Sequence, residues 1–177
     1  MKQLIYLLIG VMFLSCKPTQ STTENRSKNS TEQDTNHETS SPSGFKEISF
    51  TTLAEGNNGG FLEQKNVVVK SEEKLQEIWN EAYSNFMKKP PLPKINFETS
   101  VVVLVAIGER NNGGFSVKVA SVTEHENNLM IIAEENIPND NCVTTSMISY
   151  PYEIVEFPAT HKKIVFKNVE KIYDCEE

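Results

Sequence analysis

The sequence predicts an α+β domain in which a mostly antiparallel β-sheet of about seven strands packs on one main amphipathic helix. Two observations support this prediction. One segment near the middle of the chain has helical periodicity, and the rest of the second half alternates short β-like runs with turn signals. A single helix among many strands joined by short links is typical of α+β folds. Residues 45–177 are numerous enough for one such domain.

The N-terminus has the features of a lipoprotein signal. Lys2 supplies a positive charge, and the apolar run 4–14 is too short for a bilayer-spanning helix, which needs about 20 residues. Ser15, a small residue, directly precedes Cys16, which resembles the lipobox of bacterial lipoproteins. We expect residues 1–15 to be a cleaved signal peptide and Cys16 to be the lipidated first residue of the mature chain. An ordinary signal peptide with a free cysteine and an uncleaved anchor are the alternatives.

Residues 16–44 comprise this cysteine and a Ser/Thr/Asn-rich stretch without any aromatic residue. Such a composition cannot bury enough apolar surface to offset the loss of chain entropy, so we expect a disordered tether. Together with the lipid anchor, the tether predicts a domain attached to the cell envelope. The outer membrane or cell surface is favoured over the inner membrane.

The charge of the chain restricts its partners. Residues 1–44 contain four basic and four acidic residues, so the formal net charge of −7 belongs entirely to residues 45–177. An acidic domain without a basic run argues against nucleic acid. It also argues against binding to anionic lipid, so we expect membrane contact only through the anchor.

Two cysteines remain in the domain, Cys142 and Cys175. Because exported compartments oxidise thiols, we expect these two residues to form a disulfide. Cys175 is two residues from the C-terminus, so the bridge would fix a chain end that otherwise frays. The alternative is a catalytic cysteine, which would need a histidine close to it, and nothing in the sequence places a histidine there.

One helix is predicted directly after Ser71. Ser71 is a favourable N-cap, and Glu72 and Glu73 lie in the first turn, where the helix dipole favours anions. Lys88 and Lys89 precede a proline-rich stretch that ends the helix. The expected buried stripe, which makes Trp79 a core residue, consists of Leu75, Ile78, Trp79, Ala82, Tyr83 and Phe86.

The remaining apolar patterns predict strands. Residues 101–107 are all apolar, which suits a strand buried on both faces, whereas residues 115–120 alternate as a half-exposed strand does. A turn at residues 127–128 makes a hairpin with the next strand. The other predicted strands are residues 48–53, 67–69, 129–133, 148–157, interrupted by Pro151, and 164–166.

Two segments of the chain are alike, residues 55–61 and 109–115, and both end in Asn-Asn-Gly-Gly-Phe. Glycine supplies the positive φ angles of tight turns, so the plain interpretation is a pair of hairpin turns. A phosphate-binding loop would lead into a helix, whereas the second segment leads into a strand, so we exclude nucleotide binding. For this second segment, the family resemblance described next implies a functional or fold-specific role that is nearly as well supported as a plain turn.

Residues 106–117 resemble the PrcB C-terminal family, which is named after a subunit of a bacterial surface protease complex. The matching residues are Gly108, Glu109, Arg110, Gly113, Gly114 and Phe115, whereas Asn111, Asn112 and Phe115 replace the Pro-Thr and Tyr often seen in the family. The similarity extends over most of residues 55–168. It implies a non-catalytic protein that helps to assemble or stabilise a surface protease.

We expect no enzymatic activity, no cofactor and no metal site. His37 lies in the tether, His125 in a hairpin turn and His161 in a polar loop, so no histidine has an apolar setting that would tune a general base. The expected partner is a protease or another envelope protein. The alternatives are an inhibitor whose loop blocks a protease cleft, and a purely structural envelope lipoprotein. The candidate interaction loop comprises Gly108, Glu109, Arg110, Asn111, Asn112, Gly113, Gly114 and Phe115.

Overall fold

The computed structural model describes residues 45–175, and the predicted signal peptide, Cys16 and the tether lie outside the described residues. Eight strands and one helix form between Lys46 and Tyr173. In chain order these are β1 (Lys46–Glu47), β2 (Thr51–Gly56), β3 (Gln64–Val69), α1 (Glu72–Ala82), β4 (Ser100–Ile107), β5 (Ser116–Glu124), β6 (Asn128–Pro138), β7 (Tyr152–Pro158) and β8 (Lys163–Tyr173).

The strands form two four-stranded sheets. The first, sheet A, has the order β1-β5-β6-β8, and the second, sheet B, has the order β2-β7-β4-β3. All pairs are antiparallel except β6–β8, which is parallel. The fold is therefore mostly β with one short helix, as expected, but the prediction of a single sheet was wrong. Periodicity along a strand shows which of its faces is buried and does not show the sheet to which it belongs.

Strand β4 lies at the centre of three layers. Its residues Val102, Leu104 and Ala106 face α1, where they share a core with Leu75, Trp79 and Tyr152. Val101, Val103, Val105 and Ile107 face the opposite way and pack on sheet A. The apolar run 101–107 is thus buried on both faces, as predicted, because a helix covers one face of sheet B and a second sheet covers the other.

Helix α1 begins where the sequence predicts and ends earlier. The Ser71 hydroxyl accepts a hydrogen bond from the backbone N–H of Lys74, and the pKa of Glu73 is lowered by a backbone hydrogen bond and by Ser71. The helix ends at Ala82, with Tyr83 as its C-cap, and Phe86 is 42% exposed. The prediction that Phe86 belongs to the buried stripe was wrong. Trp79 is buried, and its indole N–H donates to the Pro90 carbonyl.

Two strands are longer than the apolar runs from which they were predicted. Strand β6 continues to Pro138 and β8 continues to Tyr173, although only residues 129–133 and 164–166 carried a strand pattern. The added parts pair with each other in an unbroken parallel register from Asn128–Lys163 to Pro138–Tyr173. Cys142 and Cys175 lie just beyond the two strand ends and are joined in a disulfide, with 5.2 Å between their Cα atoms.

Residues 51–53 of the predicted strand 48–53 form the start of β2, whereas residues 48–50 belong to no strand and connect β1 with β2. Lys46 and Glu47 pair with β5 of sheet A, and Thr51 to Gly56 pair with β7 of sheet B. Ile48 and Phe50 pack in the core between the two sheets, at the point where the chain crosses over. Among the described residues, no helix is long and apolar enough to cross a membrane.

Candidate functional site

The segment from Gly108 to Phe115 connects β4 of sheet B with β5 of sheet A, so it is not a hairpin turn. The first glycine segment, residues 55–61, is not a hairpin turn either, since β2 and β3 occupy opposite edges of sheet B. The prediction of two hairpin turns was therefore wrong. Short loops rich in Gly and Asn are compatible with several kinds of connection, and the sequence alone does not identify the partner strand.

Gly108 turns the chain out of sheet B with a φ of +79°. A Cβ atom at this position would lie 2.8 Å from the backbone nitrogen of Gln64. The next residue, Glu109, is exposed and accepts a hydrogen bond from the Tyr150 hydroxyl at 3.1 Å. This hydrogen bond is the main reason why the pKa of Tyr150 is raised.

Arg110 joins the loop to Ser149 through its backbone and to strand β6 through its side chain. Its backbone makes two hydrogen bonds with Ser149, of 2.8 and 2.9 Å. Its guanidinium Nε donates to Glu135 of β6 at 2.8 Å, and its side chain is only 25% exposed. The arginine of the Gly-Glu-Arg motif therefore lies against sheet A and holds the loop to the sandwich.

A tight turn follows at Asn112. The Asn112 side chain accepts from the backbone N–H of Gly114, and its carbonyl accepts from the Ser149 hydroxyl. Gly113 donates its N–H to the Thr145 carbonyl, and Gly114 accepts from the Tyr173 hydroxyl at 2.7 Å. A Cβ atom on either glycine would lie within 2.6 Å of the side chain of Thr144 or Thr145, so glycine at these positions allows the close packing seen here.

Phe115 does not present its ring to solvent. It is half-buried, packs on the core between the sheets and lies beneath the Arg110 guanidinium, 5.7 Å from the guanidinium carbon. The guanidinium and the sheet together cover the ring, and neither contact is visible in the alternation of residues 115–120.

Both glycine segments contact the same stretch of chain, the connection between β6 and β7. We refer to residues 143–150 as the connecting segment. Its Ser149 pairs with Arg110 of the second glycine segment, and its Tyr150 pairs with Asn57 and Gly59 of the first. The two similar sequences thus border one stretch of backbone from two sides.

An apolar cleft of about 320 Å³ lies where these three segments meet. Its walls include Asn57, Gly113, Phe86, Met147 and Ile148. Met147 is 70% exposed and Ile148 is 53% exposed. Exposed apolar residues that adjoin one another are characteristic of interaction surfaces, whereas single ones need no explanation.

Sequence reasoning identified the glycine loop and missed the apolar cleft. Ile148 was assigned to the predicted strand 148–157 and Phe86 to the buried stripe of the helix, and the sequence led to no prediction for Met147. The available signal was Pro151 within the predicted strand 148–157, since proline cannot donate a ladder hydrogen bond and restricts strand β7 to the residues that follow it.

The two histidines of the described residues lie in different connections of the chain. His125 lies in the β5–β6 turn and His161 in the β7–β8 turn, both partly or fully exposed. The buried Glu153 accepts hydrogen bonds from Thr52 and from the backbone of Val119. Between Phe45 and Cys175 no group of histidine, cysteine, aspartate and glutamate residues has the arrangement of a metal site.

Residues 101–158, which span β4 to β7, match the family model described as PrcB C-terminal. The match contains the glycine loop 108–115 and the connecting segment, and it is shorter than the resemblance seen in the sequence. No curated protein and no solved structure matches the chain.

Proposed function

Because residues 101–158 match the PrcB C-terminal family model, we propose that this chain is an envelope lipoprotein whose non-catalytic domain binds a protein partner. The partner is a protease or another envelope protein, and the role is to assemble or stabilise a surface protease complex. The contact surface is the apolar cleft together with the glycine loop 108–115.

The main support for this proposal is that most residues lining the cleft belong to residues 101–158, the part of the chain that matches the family model. The glycine loop and the connecting segment both belong to residues 101–158, and they form most of the walls of the cleft. The exposed side chains Met147 and Ile148 would lose water contact when a partner covers them, which stabilises a complex by about 25 cal/mol for each Å² of apolar area. Methionine also adapts its shape to different partners.

The non-catalytic part of the proposal rests on the chemistry of the cleft. The side chains named in its walls are amides, hydroxyls and apolar groups, and none is a base or an acid. The strongly buried carboxylate, Glu153, is occupied by hydrogen bonds between the two sheets. A general acid or base needs access to a substrate, and Glu153 does not have this access.

The envelope location rests on Cys16 and the sequence around it. Labelling of cells with a radioactive fatty acid is expected to label the wild-type protein and not a Cys16→Ala variant. Persistence of the intact Met1 in the mature protein would contradict the proposal. Separation of inner and outer membranes would then show which membrane carries the protein.

The binding role is tested by crosslinking in cells followed by mass spectrometry of the captured proteins. We expect Met147→Glu to reduce capture of the partner strongly, because it places a charge on an exposed wall of the cleft without disturbing the core. Phe45→Glu is the matched control, since Phe45 is also an exposed apolar residue, at 49%, and lies outside the cleft. Equal capture by all three proteins would contradict the assignment of the contact surface.

An inhibitor that inserts the loop 108–115 into a protease cleft is less well supported. Gly113 and Gly114 are held against Thr145 and Tyr173 by hydrogen bonds, so the tip of the loop does not project freely. Purified domain added to cysteine and serine proteases should therefore leave their turnover unchanged. Loss of turnover would favour the inhibitor, and absence of any captured partner would favour a purely structural lipoprotein.

A further inference from the structure

Strand β8 is a long edge strand with a free side. It pairs with β6 over eleven positions, and no other strand among residues 45–175 pairs with it. In a parallel pair, every second residue directs its N–H and C=O away from the neighbouring strand. Such an unpaired edge is a template on which another extended chain can add.

Three of the six exposed residues of this edge are lysines, and the other three are Asn168, Glu170 and Ile172. Lys163, Lys167 and Lys171 recur at every fourth residue and therefore lie on one face of the strand. Lys163 and Lys167 are exposed and form no ion pair within the described part of the chain. Lys171 is 3.6 Å from Glu134, with 59% of its side chain exposed. A basic strip on a domain of net charge −7 indicates an acidic partner.

A cavity of about 310 Å³ lies on the inner side of the same edge, between the two sheets. Strand β3 contributes Gln64 and Asn66 to its walls, and β8 contributes Asn168 and Glu170. The amides of Asn66 and Asn168 are joined by a hydrogen bond of 2.9 Å between the two strands. The cavity has room for side chains of an added strand, in the way that pockets beside a sheet edge give strand addition its specificity.

From these observations we infer that the free edge of β8 binds an extended acidic segment of a partner protein by strand addition. The inference adds a second contact surface to the proposed function and rests on the existence of a protein partner. A second copy of this chain is a poorer occupant, because it would bring three more lysines beside those of β8. The cavity beside β8 shares no wall residue with the apolar cleft, but Arg110 of the glycine loop lies in its wall, so the two contact surfaces are neighbours and differ in chemistry.

The probe for this inference is a ten-residue peptide in which glutamate and valine alternate, added to the mature full-length protein in detergent. We expect the peptide to slow hydrogen exchange of the backbone amides in Lys163–Tyr173. The variant Lys163→Glu/Lys167→Glu should bind the peptide at least about tenfold more weakly, since it reverses two charges that face it. The control variant Lys88→Glu/Lys89→Glu changes charge equally at a site away from β8 and should bind as the wild type does.

A second peptide separates strand pairing from charge attraction alone. N-methylation of alternate peptide bonds keeps every glutamate and removes hydrogen-bond donors, so this peptide should bind much more weakly. Equal binding of both peptides, or binding without protection of the β8 amides, would overturn strand addition. So would β8 amides that are already fully protected without peptide, because the edge would then be occupied by another part of the chain.

The same variants allow the β8 inference and the proposed function to be tested separately. If Lys163→Glu/Lys167→Glu captures the cellular partner as well as the wild type does while Met147→Glu does not, the partner uses the cleft alone and the β8 inference fails. If no variant captures any protein but the acidic peptide still adds to β8, the proposed function fails and the edge remains a binding site.

Discussion

Gly108 shows how a single residue fixes the direction of the candidate site. It is the first residue after β4, and its positive φ turns the chain towards sheet A. Side chains other than glycine pay a steric penalty in this conformation, and here a Cβ atom would also contact the backbone of Glu63 and Gln64. The glycine is therefore required both by its torsion angle and by its neighbours.

We expect Gly108→Ala to lower the free energy of unfolding by about 2 kcal/mol or more, as strained positions of this kind do. Gly56→Ala is the control. A Cβ atom at Gly56 would lie 3.4 Å from the ring of Tyr152 and would meet no backbone. Urea unfolding of both variants measures the difference. Equal stabilities for the two variants would show that the turn at residue 108 is not strained.

Glu153 connects the two sheets through a buried carboxylate. It lies on β7, is 4% exposed, and accepts hydrogen bonds from the Thr52 hydroxyl and from the N–H of Val119. The pairing of β5 with β6 shifts register between Val119 and Ser121, so this N–H lies beside an irregularity of the sheet. The carboxylate supplies an acceptor at the place where the strand is irregular.

Glu153→Ala leaves the Val119 N–H without its side-chain acceptor, and we expect the free energy of unfolding to fall by about 1–3 kcal/mol. Glu153→Gln retains one acceptor oxygen and should lose less. The substitution Glu156→Gln on the same strand, at a partly exposed position, controls for removal of a charge from β7. A Glu153→Ala variant as stable as this control would mean that water replaces the carboxylate.

At the scale of elements, the disulfide joins the end of β8 to the start of the loop that becomes the connecting segment. Asn139 donates its N–H to the Tyr173 carbonyl, close to the bridge between Cys142 and Cys175. Tyr173 also donates its hydroxyl to Gly114 of the glycine loop. The bridge therefore supports one wall of the apolar cleft and the loop beside it.

Replacing both cysteines with serine should reduce the free energy of unfolding by about 3–4 kcal/mol, from the loop of 33 residues that the bridge closes. We also expect faster hydrogen exchange in residues 108–115 and 139–150, while β4 keeps its protection because its core lies elsewhere. Exchange spectra of the variant and the wild type measure this. A uniform rise in exchange over the whole domain would show that the bridge stabilises the fold and does not act on the cleft in particular.

The elements also differ in how far the sequence determines them. The N-cap at Ser71 and the run 101–107 could be predicted because each depends on local chemistry and on a continuous pattern. The end of α1 at Ala82 could not, since Tyr83 and Phe86 continue the apolar spacing after the helix has stopped. Residues 167–173 of β8 are mostly exposed and polar, so their strand character comes from pairing with β6 and not from periodicity.

At the scale of the whole molecule, the division into two sheets depends on contacts between distant residues. The chain from Phe45 to Gly56 contributes to both sheets, and β4 and β5 are consecutive strands in different sheets. The glycine loop could be predicted from its motif. The cleft could not, because it forms where residues 57, 86, 113 and 147 come together in the fold, and no local sequence pattern indicates this contact. Long-range proximity of this kind is the part of the site that a single sequence does not contain.

The position of β1 has a practical consequence for how the domain is displayed. Lys46 pairs with Glu124, the last residue of β5, whereas the glycine loop adjoins the first, Ser116. At about 3.4 Å per residue the two ends of β5 are about 27 Å apart. The chain therefore enters the domain near the C-terminal end of β5, and the cleft lies near the N-terminal end of this strand. Phe45 is therefore a suitable point at which to join the domain to a resin or a fluorescent fusion, because this attachment point lies at the end of β5 opposite to the proposed contact surface.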